Sequence, residues 1–263
     1  MTYKKFATDL AKQAGAIIRK NFKHGMQKDW KSNDTPVTVT DTKINSLVIA
    51  AVKKRFPTHD VLGEEESSRT NNSKYLWVCD PVDGTIPFSH GIPTCVFSLA
   101  LVIDGLPMLG VIFDPFMNRL IFAEKGKGAF LNGKKIHVSN HGIKNSVLDW
   151  ESPSLMTKLV ETYKNCLPVK LNSYIYGGML VAMGELVASM YSWHFAHDCA
   201  SLKIIIEEAG GKATDLQGND QRYDGKVKGM LISNGVVHNQ LIKIAKTHRS
   251  LFFGKTGNGE FQF

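Results

Sequence analysis

Apolar positions recur along this chain with helical and strand periods. Over residues 3–21, Phe6, Leu10, Ala14, Ile17 and Ile18 fall on one face at helical spacing, which predicts a first helix. A polar loop follows at 24–34, then the strand-like Val37-Thr38-Val39. Asp41 stands as an N-cap, and Ile44, Leu47, Val48 and Ala51 give a second helix its apolar face until Phe56-Pro57 ends it. Val61-Leu62 and Tyr75-Leu76-Trp77-Val78-Cys79 read as buried strands. Strands at 94–103 and 108–113 are split by the turn signal Asp104-Gly105-Leu106-Pro107. Strands at 119–124 and 129–131 come next, and Asn132-Gly133 is another turn. Gly126-Lys127-Gly128 reads as a hairpin turn rather than a phosphate loop, because no helix follows it.

Past residue 140 strands and helices alternate. Val147-Leu148-Asp149-Trp150 is a strand; 153–163 is a helix with Ser152 as cap and Pro153 in its first position. Helices at 176–184 and 198–209 follow, the second closed by Gly210-Gly211. Met230-Leu231-Ile232-Ser233 is a strand and 238–245 the last regular helix. The expected organisation is an α+β half, 1–140, and an α/β half, 141–263. In the tail, Phe252-Phe253 packs on the domain or on a partner subunit, and the sequence leaves both open.

Two of these strands run straight into acids. Val61-Leu62 leads into Gly63-Glu64-Glu65-Glu66, and Cys79 leads into Asp80-Pro81-Val82-Asp83-Gly84-Thr85. Buried carboxylates are costly unless positive charge meets them. Asp80 and Asp83 flank one turn, so both can point to the same side, and Asp198 stands at a distant helix start. Hard oxygen ligands from several strand and helix ends suit Mg²⁺ better than zinc. The plainer reading is that Asp198 caps its helix and Asp83 forms its turn. Cys199, beside Asp198, lacks the Arg-containing phosphate loop a cysteine phosphatase needs. His194 and His197 have no third zinc ligand near them; with His238 they read as structural or substrate-edge residues.

Composition narrows the classes. The chain has 263 residues, 43% apolar, enough for a large core in one or two domains. No apolar run approaches the roughly 20 residues of a membrane span, and Met1-Thr2-Tyr3-Lys4-Lys5 precedes no signal-peptide core. Cys79, Cys95, Cys166 and Cys199 lack CxxC spacing and read as reduced, buried thiols of a cytoplasmic protein. The net charge of +8 suits steering of an anionic phosphate ester or nucleic-acid binding. The basic clusters, Lys53-Lys54-Arg55 and Lys125, Lys127, Lys134 and Lys135, are not interleaved with aromatics. A solvated basic face is the plainer reading, and nucleic acid is not an expected partner.

Four segments in order carry a resemblance. They are Thr35-Pro36-Val37-Thr38-Val39-Thr40-Asp41, Gly63-Glu64-Glu65, Asp80 to Thr85, and His197-Asp198 with Glu208-Ala209-Gly210-Gly211. Together they resemble the motifs of the inositol monophosphatase family of Mg²⁺-dependent, lithium-sensitive phosphatases, from about residue 6 to residue 246. The resemblance implies a layered αβαβα fold of the α+β class, hydrolysis of a small phosphate monoester of the inositol 1-phosphate type, and a homodimer. It implies that Glu64, Asp80, Asp83, Asp198 and the main-chain carbonyl of Val82 hold Mg²⁺. Two metals about 3.5–4 Å apart could clamp the attacking and leaving oxygens. Gly84 and Thr85 would offer backbone N–H groups to the phosphate at a helix start. Thr85, Asp41 and Glu65 would orient the attacking water; Asp41 as a plain N-cap is the rival, and both roles can coexist.

The departures matter as much. Pro87 stands where most relatives have Asn, and His197 replaces the usual Trp. Tyr191 falls where inositol-specific relatives place an acid that grips substrate hydroxyls, so Tyr191 and Asp198 border the substrate, unless Tyr191 is ordinary core packing. These changes leave the metal core intact and weaken the inositol assignment. Histidinol phosphate, bisphosphate nucleotides and fructose bisphosphate stay open as substrates. A non-catalytic RNA-binding or regulatory protein on the same fold rests on net charge alone.

Overall fold

The computed structural model describes residues 2–248 except 24, 32–35, 71, 151, 152, 164 and 194, and of 150 and 153–156 the backbone alone. The Ser152 cap, His194 and the Phe252-Phe253 tail therefore lie outside the described residues. Helix α1 (Tyr3–Asn21) has the expected bounds and is capped by Thr2. Strands β1 (Asp29–Trp30) and β2 (Pro36–Val37) make a small antiparallel pair before α2 (Val39–Arg55). The strand expected at 37–39 is cut short because the helix starts early. Asp41 is not its cap. Thr38 is, and Asp41 sits at the third helical position, accepting from the Thr38 backbone N–H at 2.9 Å. This reciprocal capping box satisfies donors that a helix start leaves open.

Seven strands follow: β3 (Asp60–Gly63), β4 (Tyr75–Asp83), β5 (Val96–Ile103), β6 (Leu106–Asp114), β7 (Arg119–Glu124), β8 (Gly128–Leu131) and β9 (Lys134–Ile136). They form one sheet in chain order, antiparallel except where β3 runs parallel to β4. A short helix, α3 (Thr85–Ser89), separates β4 from β5. Asp104-Gly105 and Asn132-Gly133 both have positive φ at both positions, the turn geometry that matches strand twist. Leu106 and Pro107, expected in the first turn, therefore already belong to β6.

The remaining elements are β10 (Val147–Trp150), α4 (Pro153–Thr162), β11 (Leu167–Val169), α5 (Tyr174–Ala182) and β12 (Ala188–Tyr191), then a 3₁₀ turn (Ala196–Asp198), α6 (Ala200–Glu208), β13 (Lys212–Thr214), β14 (Met230–Ser233) and α7 (His238–Thr247). The strands pair as β11-β10-β12-β14-β13, with β10 parallel to both neighbours and β14 antiparallel to both of its own. Among the described residues no helix is long and apolar enough to cross a membrane.

Strand periodicity sorts the core into layers. Trp77, Cys79, Phe97, Leu99 and Leu101 share a cluster with Phe6, Leu10 and Ile18 of α1 and Ile44 and Val48 of α2. The alternate positions, Leu76, Val78, Ala100 and Val102, join Met179 of α5 and Leu202 and Ile205 of α6. That middle cluster also takes Tyr191, Met230 and Ile232 from the second sheet. The sheet's other face sets Leu148, Ala188, Met190 and Leu231 against Leu159 of α4 and Leu241 of α7. The order is helix, sheet, helix, sheet, helix, as expected. Strands covered on both faces read as unbroken apolar runs, which is why periodicity found them as buried strands.

Helix α6 lies close on the larger sheet. A Cβ at Gly110 would stand 2.9 Å from the Ser201 carbonyl, and the Ser98 and Ser201 hydroxyls meet at 2.6 Å. Its far end is clipped as well, since Glu208 accepts from the backbone N–H groups of Gly126 and Gly128 at 2.7 and 2.6 Å. This seating brings the turn that precedes α6 to the end of β4.

Candidate active site

Asp80 and Asp83 are three apart on a strand, a spacing that by itself sends side chains to opposite faces. The register of β4 on β5 shifts between them: Asp80 pairs with Ser98, whereas Asp83 pairs with Val96. This bulge-like irregularity redirects the chain, and both carboxylates enter one cavity. Asp198 reaches the same cavity from the 3₁₀ turn. Cys199 occupies the cap position of α6 with no side-chain cap, so the reading of Asp198 as that helix's cap is not what the structure shows. One oxygen from each of Asp80, Asp83 and Asp198 lies within 4.8 Å of the others, and all three residues are buried.

The cavity, about 320 Å³, is also lined by Glu64, Val82, Gly84, Thr85 and Tyr191. Asp41 and Glu65 are not among its lining residues. The Thr85 hydroxyl connects Asp41 to it, lying 3.0 Å from Asp41 Oδ1 and 3.0 Å from the Val82 carbonyl. Gly84 takes φ +90, and a Cβ there would sit 2.6 Å from the Thr94 carbonyl, so glycine alone suits this turn. The helix that follows has only five residues, too short for a substantial dipole, and Pro87 is built into it without disruption.

Burial dominates the electrostatics. It pushes Asp83 up to about 7, reinforced by the Asp198 charge. It raises Asp80 well above the usual range, with Glu64 and Asp83 adding to it. Asp41 is held up at about 6 by burial, against the hydrogen bonds from Thr38. Glu65 is held up at about 7 by burial, against its bond from Lys31. Gathered carboxylates of this kind repel one another until a cation joins them. The donor set is all oxygen, so the site fits a hard divalent ion.

Asp83 has a second attachment. It accepts from the Ser173 hydroxyl and from the backbone N–H groups of Tyr174, Ile175 and Tyr176 at 3.1, 3.0 and 3.2 Å. It thus caps α5 from another element, a role richer than turn formation. Tyr191 is buried, packs edge-to-face on Tyr174 at 4.6 Å, and donates its hydroxyl to Asp198 Oδ2. It is at once core packing and cavity wall.

Lys31 is a site residue that periodicity could not find, because it lies in a polar loop beside β1. Its ammonium donates to Glu64 Oε1 at 2.8 Å and Glu65 Oε1 at 2.6 Å. Burial opposes its charge, but those carboxylates raise its pKa above the ordinary value. Trp193, Phe195 and Asn172 also line the cavity without having been singled out. His197 stacks on Phe195 at 5.3 Å, and burial lowers it to about 4, so it is neutral at pH 7. His238 is remote and structural, bonded to Thr214 and Ser233. The Cys199 thiol is fully buried and pushed up by that burial, the opposite of an activated nucleophile.

Comparison with known proteins agrees with this geometry. The sequence profile of the inositol monophosphatase family matches residues 2–250. A histidinol-phosphatase of Chlorobaculum parvum is 31% identical over 253 residues, 90% of this chain and 93% of that protein. Inositol monophosphatase 1 of Solanum lycopersicum is 36% identical over 230 residues, 81% of this chain and 84% of that protein. A solved structure of a Thermotoga maritima IMPase superposes with a TM-score of 0.85 at 27% identity, covering 94% of this chain and 98% of that one.

Proposed function

The chain belongs to the inositol monophosphatase family, and from that premise we propose that it is a Mg²⁺-dependent phosphatase of several small monoesters with no strong preference for inositol phosphate. That it is a phosphoric monoester hydrolase follows from the family; the metal, the residues and the substrate are our reading. The observation that carries it is the meeting of Asp80, Asp83 and Asp198 within 4.8 Å in a cavity that Thr85 also lines.

Those three aspartates, Glu64 and the Val82 carbonyl would hold Mg²⁺. When bound, the metal supplies charge to the phosphate oxygens and makes water a stronger acid. The chain's own residues do the rest. The Thr85 hydroxyl donates to Asp41, which leaves its oxygen lone pairs to accept from and orient the attacking water. Glu65, held near neutral titration by burial, is the second acceptor and can take a proton. The backbone N–H groups of Gly84 and Thr85 face the phosphate. The Tyr191 hydroxyl fixes the Asp198 carboxylate. Tyr191 in place of an acid removes an acceptor for ring hydroxyls, which supports a non-inositol preference.

Histidinol phosphate hydrolysis is the second reading, favoured by the aromatic cavity wall and by the similarity to a histidinol-phosphatase. The test is phosphate release from inositol 1-phosphate, histidinol phosphate, glycerol 2-phosphate and fructose 1,6-bisphosphate, in Mg²⁺ and in EDTA. Mg²⁺-dependent turnover of several esters is expected. Strong selectivity for inositol 1-phosphate defeats the substrate reading, and no turnover at all defeats the whole.

A further inference from the structure

The alcohol half of a substrate has to lie between the carboxylates and solvent, and one wall of that part of the cavity carries the aromatic rings of Trp193 and Phe195. Asp80, Asp83 and Asp198 are buried, whereas Ile86, Trp193 and Phe195 on the same lining are 51%, 48% and 43% exposed. The aspartates are therefore the floor, and these three apolar residues together with the exposed Asn172 form the mouth. The lining's remaining carboxylate, Glu64, is taken by Lys31 at 2.8 Å. A polyol seated against Trp193 and Phe195 would turn hydroxyls toward ring faces and lose hydrogen bonds it had in water. A flat aromatic ring loses none and gains edge or face contacts with the wall. Phe195 is already oriented for this by its stack on His197, whose ring plane lies 10° from its own.

Resting on the phosphatase reading, we infer that the preferred substrate is a phosphate monoester whose alcohol carries a planar aromatic ring, seated against Trp193 and Phe195. The phosphate reaches the acidic floor while the ring stays at the mouth. Specificity then comes from Trp193 and Phe195 rather than from an acid that counts hydroxyls.

The test compares benzyl phosphate with cyclohexylmethyl phosphate, with ethyl phosphate as reference, all on the full chain with Mg²⁺. The first two have the same carbon skeleton size and similar leaving alcohols; they differ in flatness and π character. The expected kcat/KM ratio favours benzyl phosphate by about threefold to tenfold. That ratio falls toward one in Trp193→Leu or Phe195→Leu, which keep apolar bulk without a ring. Calorimetric binding of benzylphosphonate, which cannot be hydrolysed, is expected to exceed that of cyclohexylmethylphosphonate by a similar factor. A ratio near one in the wild type, or one unmoved in both variants, overturns this inference while ethyl phosphate turnover leaves the phosphatase reading standing. No turnover of any ester overturns the phosphatase reading and this inference with it.

Discussion

The Thr85 hydroxyl lies 3.0 Å from Asp41 Oδ1, so a residue from the turn after β4 is held by one from the first turn of α2. Asp41 is fixed in turn by the Thr38 backbone N–H, which leaves Oδ1 for Thr85. A hydroxyl held this way acts on geometry that matters most in the transition state. Thr85→Ala is expected to lower kcat by about 10- to 100-fold with little change in KM, and Thr85→Ser to restore most of it. Steady-state kinetics on glycerol 2-phosphate checks this. A rise in KM alone would make Thr85 a binding residue.

Asp83 and Asp198 face the same cavity but differ in what else they hold. Asp83→Asn removes a proposed ligand and weakens the cap on α5, since both carboxylate oxygens accept from backbone N–H groups there and an amide NH₂ can replace neither. Asp198→Asn keeps an acceptor for the Tyr191 hydroxyl and relieves carboxylate repulsion. Both variants are expected to lose Mg²⁺ binding and activity. In EDTA, however, Asp83→Asn should melt about 5 °C lower, from a loss of about 2 kcal/mol, whereas Asp198→Asn should melt no lower than wild type. Calorimetry and thermal melts decide it, and near-normal turnover in either variant would remove the two carboxylates from the metal site.

The fold was largely legible because its long strands are apolar runs bounded by turn residues, as at Tyr75–Asp83 and Val96–Ile103. What escaped was short: Leu167–Val169, Ala188–Tyr191 and Lys212–Thr214 hold three or four residues each, too few for any period to register. The cap of α2 lies three positions before Asp41, because Thr38 and Asp41 are both good caps and the tertiary fit chooses Thr38. Glu64, Asp80 and Asp83 stand out because buried strands run into them, whereas Asp198 stands at a helix start and joins them through the motif it shares with the family. Lys31 does not stand out, since a lysine in a polar loop carries no local sign of partners 33 and 34 residues away.

His238 gives a pH prediction independent of the site. The Thr214 hydroxyl donates to the Asp215 carbonyl and so accepts from His238 Nε2, which leaves Nδ1 to accept from Ser233. A proton on Nδ1 would set donor against donor. Burial first, and then the Lys212 and Lys203 charges, lower the imidazole from 6.5 to about 4, in keeping with that bonding pattern. The unfolded chain therefore takes the proton first as pH falls. The stability contribution is complete above 6.5 and is lost as pH drops toward 4. Urea unfolding at pH 7.5 and pH 5 should show wild type losing about 2 kcal/mol more than His238→Gln. His197 titrates in the same direction in both proteins and cancels in that difference. Equal losses would mean that His238 is not held neutral.

Lys31 places a positive charge where a divalent ion would share Glu64, and the two compete for one carboxylate. The pair is about one-fifth exposed, with side-chain accessibilities of 21% and 22%, so solvent screens it only in part. Lys31→Met keeps the length of the side chain and removes the competing charge. Mg²⁺ is then expected to bind more tightly, by up to about fivefold if the displaced pair is worth about 1 kcal/mol. Turnover should nevertheless fall, because Glu65 also loses its 2.6 Å partner and with it a fixed position. The two readouts separate the roles: calorimetric Mg²⁺ affinity reports competition at Glu64, and kcat at saturating Mg²⁺ reports the loss at Glu65. Weaker Mg²⁺ binding in the variant would show that Lys31 assists the ion instead of competing with it, and an unchanged kcat would free Glu65 from any dependence on this bridge.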